Sequence, residues 1–239
     1  GDDFISVSEV PAHGYAVISD IEKCERTVKA DAHTIENDFA RVEFDENYHI
    51  ISFYDKVNRR EVIEAGGKGN VFEVFEDYPR VYDAWEITEY YKQKKWIADD
   101  VSSVEVINEP LYAGICVKRK YGDSAFSQII TLTADSPRLD FDTYIDWHED
   151  HVMLKAAFPL DVRANHMNCE IQFGHIERPT HRNTSWDQAK FEVCAHKWTD
   201  MSEGDFGVAL LNDCKYGYSA EENVLKLTLL KAPTSPNPV

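Results

Sequence analysis

Apolar and polar residues alternate along most of this chain with a period of two. Apolar side chains occupy every second position from Ala40 to Phe44, and the alternation resumes at Ile51 and Phe53 after the polar tripeptide 45–47. Successive side chains of a strand point to opposite faces, so this pattern predicts a β-hairpin. Further strands are predicted at Val71–Phe75, Val101–Ile107, Leu111–Tyr121, Ser127–Leu132, Leu139–Ile145, Met153–Phe158, Cys169–Phe173, Phe191–Ala195, Gly207–Leu211 and Val224–Leu230.

About a dozen short strands joined by polar connections indicate an all-β protein with antiparallel sheets, arranged as a sandwich or a barrel. Only the segment from Ala84 to Lys95 has a spacing compatible with a helical turn or two, since Trp85, Thr88 and Tyr91 share one face with Lys95. The period of the pattern therefore predicts very little helix.

Charge and cysteine content narrow the class of protein further. The 43 acidic and 25 basic residues give a net charge of −18. This balance argues against nucleic acid and against an anionic membrane as partners, because both require clustered Lys and Arg. The number of cysteines is odd and they form no CxxC pair, which predicts free thiols in a reducing, cytoplasmic compartment. They are Cys24, Cys116, Cys169, Cys194 and Cys214.

Three patterns that commonly mark catalytic or metal sites are incomplete here. The segment 148–151 reads HEDH, but the zincin motif needs its two histidines four residues apart on a helix. The glycines of 66–69 lack the GK[ST] ending of a phosphate loop and suit a turn instead. No GxSxG elbow is present to mark a nucleophilic serine. We therefore predict no metal site in these segments and no nucleophilic catalysis by serine or cysteine.

Aromatic residues interleave with polar ones in two long segments, residues 69–87 and 173–219. Aromatic faces can pack on the apolar face of a sugar ring, while nearby polar groups bind its hydroxyls. The alternative is that these aromatics simply pack in a large β core.

The strings RPTHRNTSWD (178–187) and ALLNDCKYGYS (209–219) resemble the C-terminal β region of family 38 glycoside hydrolases, the α-mannosidases, and most closely their bacterial and fungal-vacuolar branch. The resemblance covers residues 35–239 and implies a galactose-mutarotase-like supersandwich, in which two large twisted antiparallel sheets pack face to face. Residues 1–34 resemble lead-in strands from a preceding β domain. Both ends look cut, so we expect a domain truncated at its C-terminus.

The same resemblance implies that the catalytic groups lie outside this chain. In such mannosidases an N-terminal α/β barrel carries the nucleophilic Asp, the acid/base carboxylate and the zinc ligands, and the mechanism is retaining. Zinc is thus expected in that barrel and no cofactor in this chain. The expected partners are mannose-containing glycans and the N-terminal domains. This chain would help to shape the substrate site without catalysing hydrolysis alone.

Two groups of side chains are candidates for contacts with mannose, since Arg and Asn bind vicinal hydroxyls and an indole covers the apolar sugar face. The alternative is that both segments are polar loops held by their own hydrogen bonds. The candidates are Arg178, His181, Arg182, Asn183, Trp186 and Asp187 in the second segment, and Asp77, Tyr78, Asp83 and Trp85 in the first.

Two other functions stay open at this point. One is a free-standing carbohydrate-binding module, in which the aromatic segments bind glycans unaided. The other is a sugar epimerase of the mutarotase type, which needs a histidine acid and a glutamate base in one pocket. His175, His181 and Glu192 are the residues available for that chemistry.

Overall fold

The computed structural model describes residues 10–18 and 26–234. That part of the chain is built almost entirely of strands, with one 3₁₀ helix at Glu89–Gln93 and one short α-helix, α1, at Ser185–Gln188. The strands are β1 Val28–Ala30, β2 Thr34–Asn37, β3 Ala40–Phe44, β4 Ile50–Asp55, β5 Arg60–Glu61, β6 Val71–Glu76, β7 Lys95–Ile97, β8 Asp100–Asn108, β9 Tyr112–Tyr121, β10 Ser124–Thr133, β11 Leu139–Asp146, β12 Val152–Pro159, β13 His166–Ile171, β14 Gly174–Pro179, β15 Val193–Cys194, β16 Trp198–Glu203, β17 Phe206–Leu211, β18 Gly217–Glu221 and β19 Val224–Lys231.

These strands form four hydrogen-bonded sheets. The first has the order β1-β2-β3-β4-β5 and the second the order β11-β10-β9-β8. The third, with six strands, has the order β15-β18-β19-β12-β6-β7, and the fourth has the order β14-β13-β16-β17. All pairs between these strands are antiparallel. The all-β, antiparallel part of the prediction is confirmed.

The alternation of side chains buries one face of each sheet against a neighbouring sheet. Ile35 and Val42 of the first sheet lie in one core with Ile115 and Ile130 of the second. The inner face of the third sheet carries Phe72 of β6, which stacks on Phe126 of the second sheet at 5.5 Å between ring centroids.

The third and fourth sheets share a further core. Met167 of β13 and Met201 of β16 belong to one buried cluster with Tyr218 and Leu225 of the third sheet. Each sheet thus buries apolar area against at least one other, which is the main favourable term in folding.

Every strand predicted above is present within three residues at each end, and two of them are shifted or shortened. The predicted strand Cys169–Phe173 begins earlier, at His166, and ends at Ile171, because Phe173 adopts a left-handed φ of 62° in the turn that follows. The predicted strand Phe191–Ala195 shortens to β15, which pairs with β18 through Val193 and Cys194. The helical turn expected in 84–95 is the 3₁₀ helix.

Several elements were not predicted. Strands β14 and β16 mix polar with apolar residues and β18 is mostly buried, so none of the three shows a clear alternation in the sequence. Helix α1 begins with a capping box, in which Thr184 Oγ1 accepts from Asp187 N and the Asp187 carboxylate accepts from Thr184 N. The spacing of Thr184 and Asp187 is visible in the sequence, but no helix was predicted there.

Only part of the predicted lead-in region 1–34 can be described, since residues 1–9 and 19–25 lie outside the described residues. Residues 10–18 contain a turn in which Gly14 N donates to Pro11 O. Strand β1 pairs with β2 in the first sheet. The C-terminal residues 235–239 also lie outside the described part.

Four of the five cysteines lie in the described residues, and none of these four forms a disulfide. Cys169 is buried between the third and fourth sheets, and this burial raises the pKa of its thiol to about 11. Cys24 lies outside the described residues. The described part of the chain contains no helix long and apolar enough to cross a membrane.

We expect Leu154→Ala to destabilise the fold by about 2–5 kcal/mol, because Leu154 is fully buried between the second and third sheets and its truncation leaves a cavity. Urea denaturation followed by circular dichroism measures this loss. Val57→Ala is the control, since Val57 is exposed and its truncation should change the free energy of unfolding by less than about 0.5 kcal/mol. Equal effects of the two variants would contradict this description of the core.

Candidate functional site

The face of the third sheet that points away from the core carries an unusual set of residues. Phe72 and Leu154 point inward, so Glu73 of β6 and Met153 and Lys155 of β12 point to the other side. In the ladder Lys155 lies opposite Glu73 on one neighbouring strand and opposite Thr228 on the other. We call this the outer face of the third sheet.

Lys155 is completely buried in the centre of that outer face. Its ammonium donates to Glu192 Oε1 at 2.5 Å and to Thr228 Oγ1 at 2.8 Å. Burial lowers the pKa of Lys155, and the Glu192 carboxylate opposes that fall. A buried ammonium without such partners would cost several kcal/mol, so Glu192 must stay in place.

A second ion-pair cluster lies beside the first. Glu73 is buried and its two carboxylate oxygens accept from Lys95 and Lys226, each at 2.6 Å. Burial on its own would raise the pKa of Glu73, but these two ammonium groups outweigh it and leave the pKa lowered. The outer face thus combines charged pairs with an apolar patch of Phe75 and Met153.

The 3₁₀ helix that follows the first aromatic-rich segment meets the second segment over this outer face. Tyr91, on the 3₁₀ helix, packs edge-on against Phe75 at 5.0 Å between ring centroids and donates to Glu192 Oε1 at 2.7 Å. Further along, Gln188 Nε2 lies 3.2 Å from Glu89 Oε2, so α1 contacts the 3₁₀ helix directly. Burial, helped by the Glu192 charge, raises the pKa of Tyr91, which keeps the phenol protonated as a donor.

Two candidates of the first segment, Asp77 and Asp83, are buried at the end of the third sheet. Asp77 pairs with Lys231 at 2.5 Å. Asp83 accepts from Thr234 N at 3.0 Å and lies 3.4 Å from His151 Nε2. Burial raises the pKa of Asp77, although the Lys231 ammonium opposes that rise. Asp77 and Asp83 therefore hold the loop that follows β6 against the end of β19 and the residues after it.

Three candidates of the second segment are engaged with groups of their own loop and of the neighbouring strand β18. The guanidinium of Arg182 donates to the carbonyl oxygens of Pro179, His181 and Ala220 at 3.3, 2.9 and 2.8 Å. Asp187 forms the capping box of α1 and lies 3.5 Å from His181 Nδ1. These contacts match the alternative in which polar side chains support the loop.

Arg178 lies apart from the other candidates, on β14 of the fourth sheet, opposite Met167 in the ladder. Its guanidinium lies near the buried thiol of Cys169, whose pKa it lowers against the larger effect of burial. The structure therefore does not bring Arg178 into the network on the outer face of the third sheet.

The remaining candidates are exposed. Trp186 on α1 is 79% exposed and Trp85 is 71% exposed, so their indole faces are available to a ligand. Trp85 packs edge-on against Tyr82 at 6.2 Å, and Tyr78 stacks on His151 at 4.4 Å between ring centroids. Asn183 is also exposed and donates its backbone N–H to His181 Nδ1 at 3.4 Å.

The three residues considered for epimerase chemistry have separate partners. His175 packs against Trp198, His181 lies beside Asp187, and Glu192 is bonded to Lys155 and Tyr91. Oε1 of Glu192 already accepts hydrogen bonds from Lys155 and Tyr91, and neither histidine is among its partners. The structure gives no support to that alternative.

The histidines of the incomplete zincin motif are likewise engaged separately, His148 with Asp146 at 3.0 Å and His151 with Asp83. Among residues 10–18 and 26–234 there is no group of three or more His, Cys, Asp or Glu side chains placed to hold a metal ion.

The sequence did not lead us to predict three residues that contribute to the site. They are Lys155, Lys231 and His151. Lys155 had a signal in the sequence, since it interrupts the otherwise apolar run from Val152 to Phe158. A lysine at the centre of such a strand needs a buried partner. Nothing in the local sequence indicates that this partner is Glu192, 37 residues further along the chain.

These observations define the class of protein. It is an antiparallel all-β domain in which exposed indoles and phenols lie over a buried ionic network. The chain belongs to the glycosyl hydrolases family 38, whose C-terminal domain it matches over residues 35–239. The suspected resemblance is thereby confirmed.

Curated relatives agree with this assignment. Alpha-mannosidase 2C1 of Homo sapiens is 41% identical over 207 residues, which cover 85% of this chain and 20% of the relative. Alpha-mannosidase G of Dictyostelium discoideum is 42% identical over 227 residues, covering 90% and 20%. The chain thus spans about a fifth of the length of these relatives.

The fold is also similar to that of a solved structure. The crystal structure of an alpha-mannosidase from Enterococcus faecalis V583 superposes with a TM-score of 0.76 over 92% of this chain and 28% of that one. Sequence identity in this superposition is 14%, so the similarity concerns the fold.

We expect Glu192→Gln to destabilise the chain by about 3–5 kcal/mol, because it leaves the Lys155 ammonium buried without a counter-charge. The double variant Lys155→Met/Glu192→Gln should recover at least half of that loss, since no charge is then stranded. Urea denaturation of both variants measures the difference. The matched control is Asp140→Asn, which breaks the exposed pair with Arg138 and should cost less than about 1 kcal/mol. A double variant no more stable than Glu192→Gln would contradict this account.

We expect Arg182→Ala to lower the free energy of unfolding by about 1.5–3 kcal/mol, since it removes the charged donor from three backbone carbonyls. Arg163→Ala is the control, because Arg163 forms only an exposed side-chain pair, with Glu64. A direct contact with mannose would give the opposite result, a 10- to 150-fold loss (about 1.5–3 kcal/mol) of kcat/KM in a mannosidase-length chain at unchanged Tm.

Proposed function

We propose that residues 1–239 act as the C-terminal, substrate-shaping domain of a retaining α-mannosidase that hydrolyses terminal α-mannosides of glycans. Membership of family 38 and the mannosidase names of the relatives support this proposal. The observation that carries it is the exposure of Trp85 and Trp186 on loops that a buried ionic network holds against the outer face of the third sheet.

The geometry suits contact with a sugar for a physical reason. An aromatic ring stacks on the C–H face of a pyranose, and it contributes most when its position is fixed before the ligand arrives. Asp77 and Asp83 hold the loop of Trp85 through Lys231 and Thr234. Glu192 holds the segment after Trp186 through Lys155 and Tyr91, so both indoles lose little further freedom on binding. Asn183 supplies an amide that can bind a hydroxyl beside Trp186.

The groups that perform hydrolysis belong, in this proposal, to a part of the mannosidase chain outside residues 1–239. A retaining glycosidase needs two carboxyl groups about 5–5.5 Å apart, one as nucleophile and one as acid and base. Asp77, Asp83 and Glu192 are each committed to structural partners. The described residues likewise offer no ligand set that fits zinc, so we assign the zinc to the same absent part.

Two finer points belong to the same proposal. The four sheets would combine into the two layers of a galactose-mutarotase-like supersandwich, which the shared cores and the superposition on a solved mannosidase support. A cytoplasmic location is supported by the free thiols of the four described cysteines.

The test compares Trp186→Ala and Trp85→Ala in a mannosidase-length chain that contains residues 1–239. Each should lower kcat/KM for an α-mannoside by about 2- to 12-fold (about 0.5–1.5 kcal/mol) at unchanged Tm, the effect of one lost aromatic stack. Tyr144→Ala is the control, because Tyr144 is equally exposed on β11 of the second sheet.

Wild-type kinetics in both tryptophan variants would contradict a role in shaping the substrate site. Calorimetry on the 239-residue chain tests the alternative, a free-standing carbohydrate-binding module. Tight binding of a mannose oligosaccharide by that chain, abolished by Trp186→Ala, would favour the module instead.

A further inference from the structure

A large apolar cavity lies where the four sheets approach one another. Its volume is about 450 Å³, and it is partly open to solvent. Its walls include Phe53 of the first sheet, Phe141 of the second, Phe158 of the third and Leu210 of the fourth. Protein interiors are close-packed, and an unfilled apolar space of this size is costly.

One strand, β17, forms a whole side of this cavity. All six of its residues, Phe206–Leu211, line the space. Its inner edge pairs with β16, and no strand of the described residues pairs with its other edge. Among the strands of 26–234, the open edge of β17 therefore leaves backbone N–H and C=O groups without a ladder partner next to an apolar space.

The composition of β17 distinguishes it from the other edge strands that the structure describes. The edge strands of proteins usually carry charged residues or proline, which prevent pairing with other chains. The second edge beside the cavity, β11, carries Asp140, Asp142 and Asp146. Charged residues also occur on β1, β5, β7, β8 and β14, whereas β15 has only two residues. Strand β17 carries no charge and no proline.

We propose that the open edge of β17 receives one more extended strand, and that the strand comes from the part of the mannosidase chain outside residues 1–239. Its backbone pairs with β17, and its apolar side chains at alternate positions enter the cavity between β17 and β11. This proposal rests on the proposed function in one respect, the existence of a mannosidase-length chain.

Two observations favour this occupant over a second copy of the same chain. The relatives are about five times as long as the stretch that they share with this chain, so four-fifths of such a protein is available to supply the strand. Each copy carries a net charge of −18, which opposes association of two copies. A strand of the same polypeptide instead gains the high effective concentration of an intramolecular contact.

The test places the photo-cross-linking residue p-benzoyl-phenylalanine at position 211 of the mannosidase-length chain. Leu211 is 60% exposed at the rim of the cavity, so the substitution is tolerable there. After irradiation, mass spectrometry should map the cross-link to a segment of the same chain outside residues 1–239. The matched control is position 106, an exposed valine on the charged edge strand β8, which should give no such cross-link.

Three outcomes would overturn the proposal. They are a cross-link between two chains, a cross-link confined to residues 1–239, and no cross-link from position 211 in a folded protein. Hydrogen exchange gives a second measurement without any substitution. The amides of 206–211 that point away from β16 should exchange at least about tenfold more slowly in the mannosidase-length chain than in the 239-residue chain. Equal rates for these amides would contradict the added strand.

The kinetic and cross-linking results separate the two proposals. Normal α-mannoside hydrolysis with a cross-link elsewhere would overturn the added strand alone. A mapped cross-link in a protein without mannosidase activity would overturn the proposed function alone.

Discussion

The buried ammonium of Lys155 is the constraint on which the arrangement of the candidate site depends. A charge at the centre of a six-stranded sheet cannot be left without partners, so Glu192 and Thr228 must lie against it. The contact with Lys155 also positions the chain segment around Glu192. Tyr91 donates to the same carboxylate oxygen of Glu192. Two segments about a hundred residues apart in the chain are held together by one acceptor.

This constraint divides the polar residues of the site into two kinds. The first kind already has hydrogen-bond or ion-pair partners within the fold, and these contacts stabilise the loops and the strands beside them. Its members are Arg182, Asp187, Asp77 and Asp83. Trp85 and Trp186 are of the second kind and face solvent. For the substrate-shaping role that we propose, rigid loops with free aromatic faces serve better than flexible charged side chains.

The open edge of β17 differs from the outer face of the third sheet in what covers it. The outer face of the third sheet is covered by its own loops, whereas the cavity at the junction of the four sheets is lined by apolar side chains and bordered by an uncharged edge. This contrast is the basis of the proposal that the open edge of β17 receives a further strand.

The sequence by itself determined the fold class and the family. Period-two alternation depends only on neighbours along the chain, so most strands and the antiparallel β class follow from residues such as Ala40, Val42 and Phe44. The resemblance to the family likewise followed directly from consecutive residues, those of the strings 178–187 and 209–219. Only the tertiary structure decided which candidates are free. Whether Arg182 donates to Ala220, or Lys155 to Glu192, depends on which distant strands pair, because buried hydrogen bonds are satisfied across the fold and leave no local pattern in the sequence.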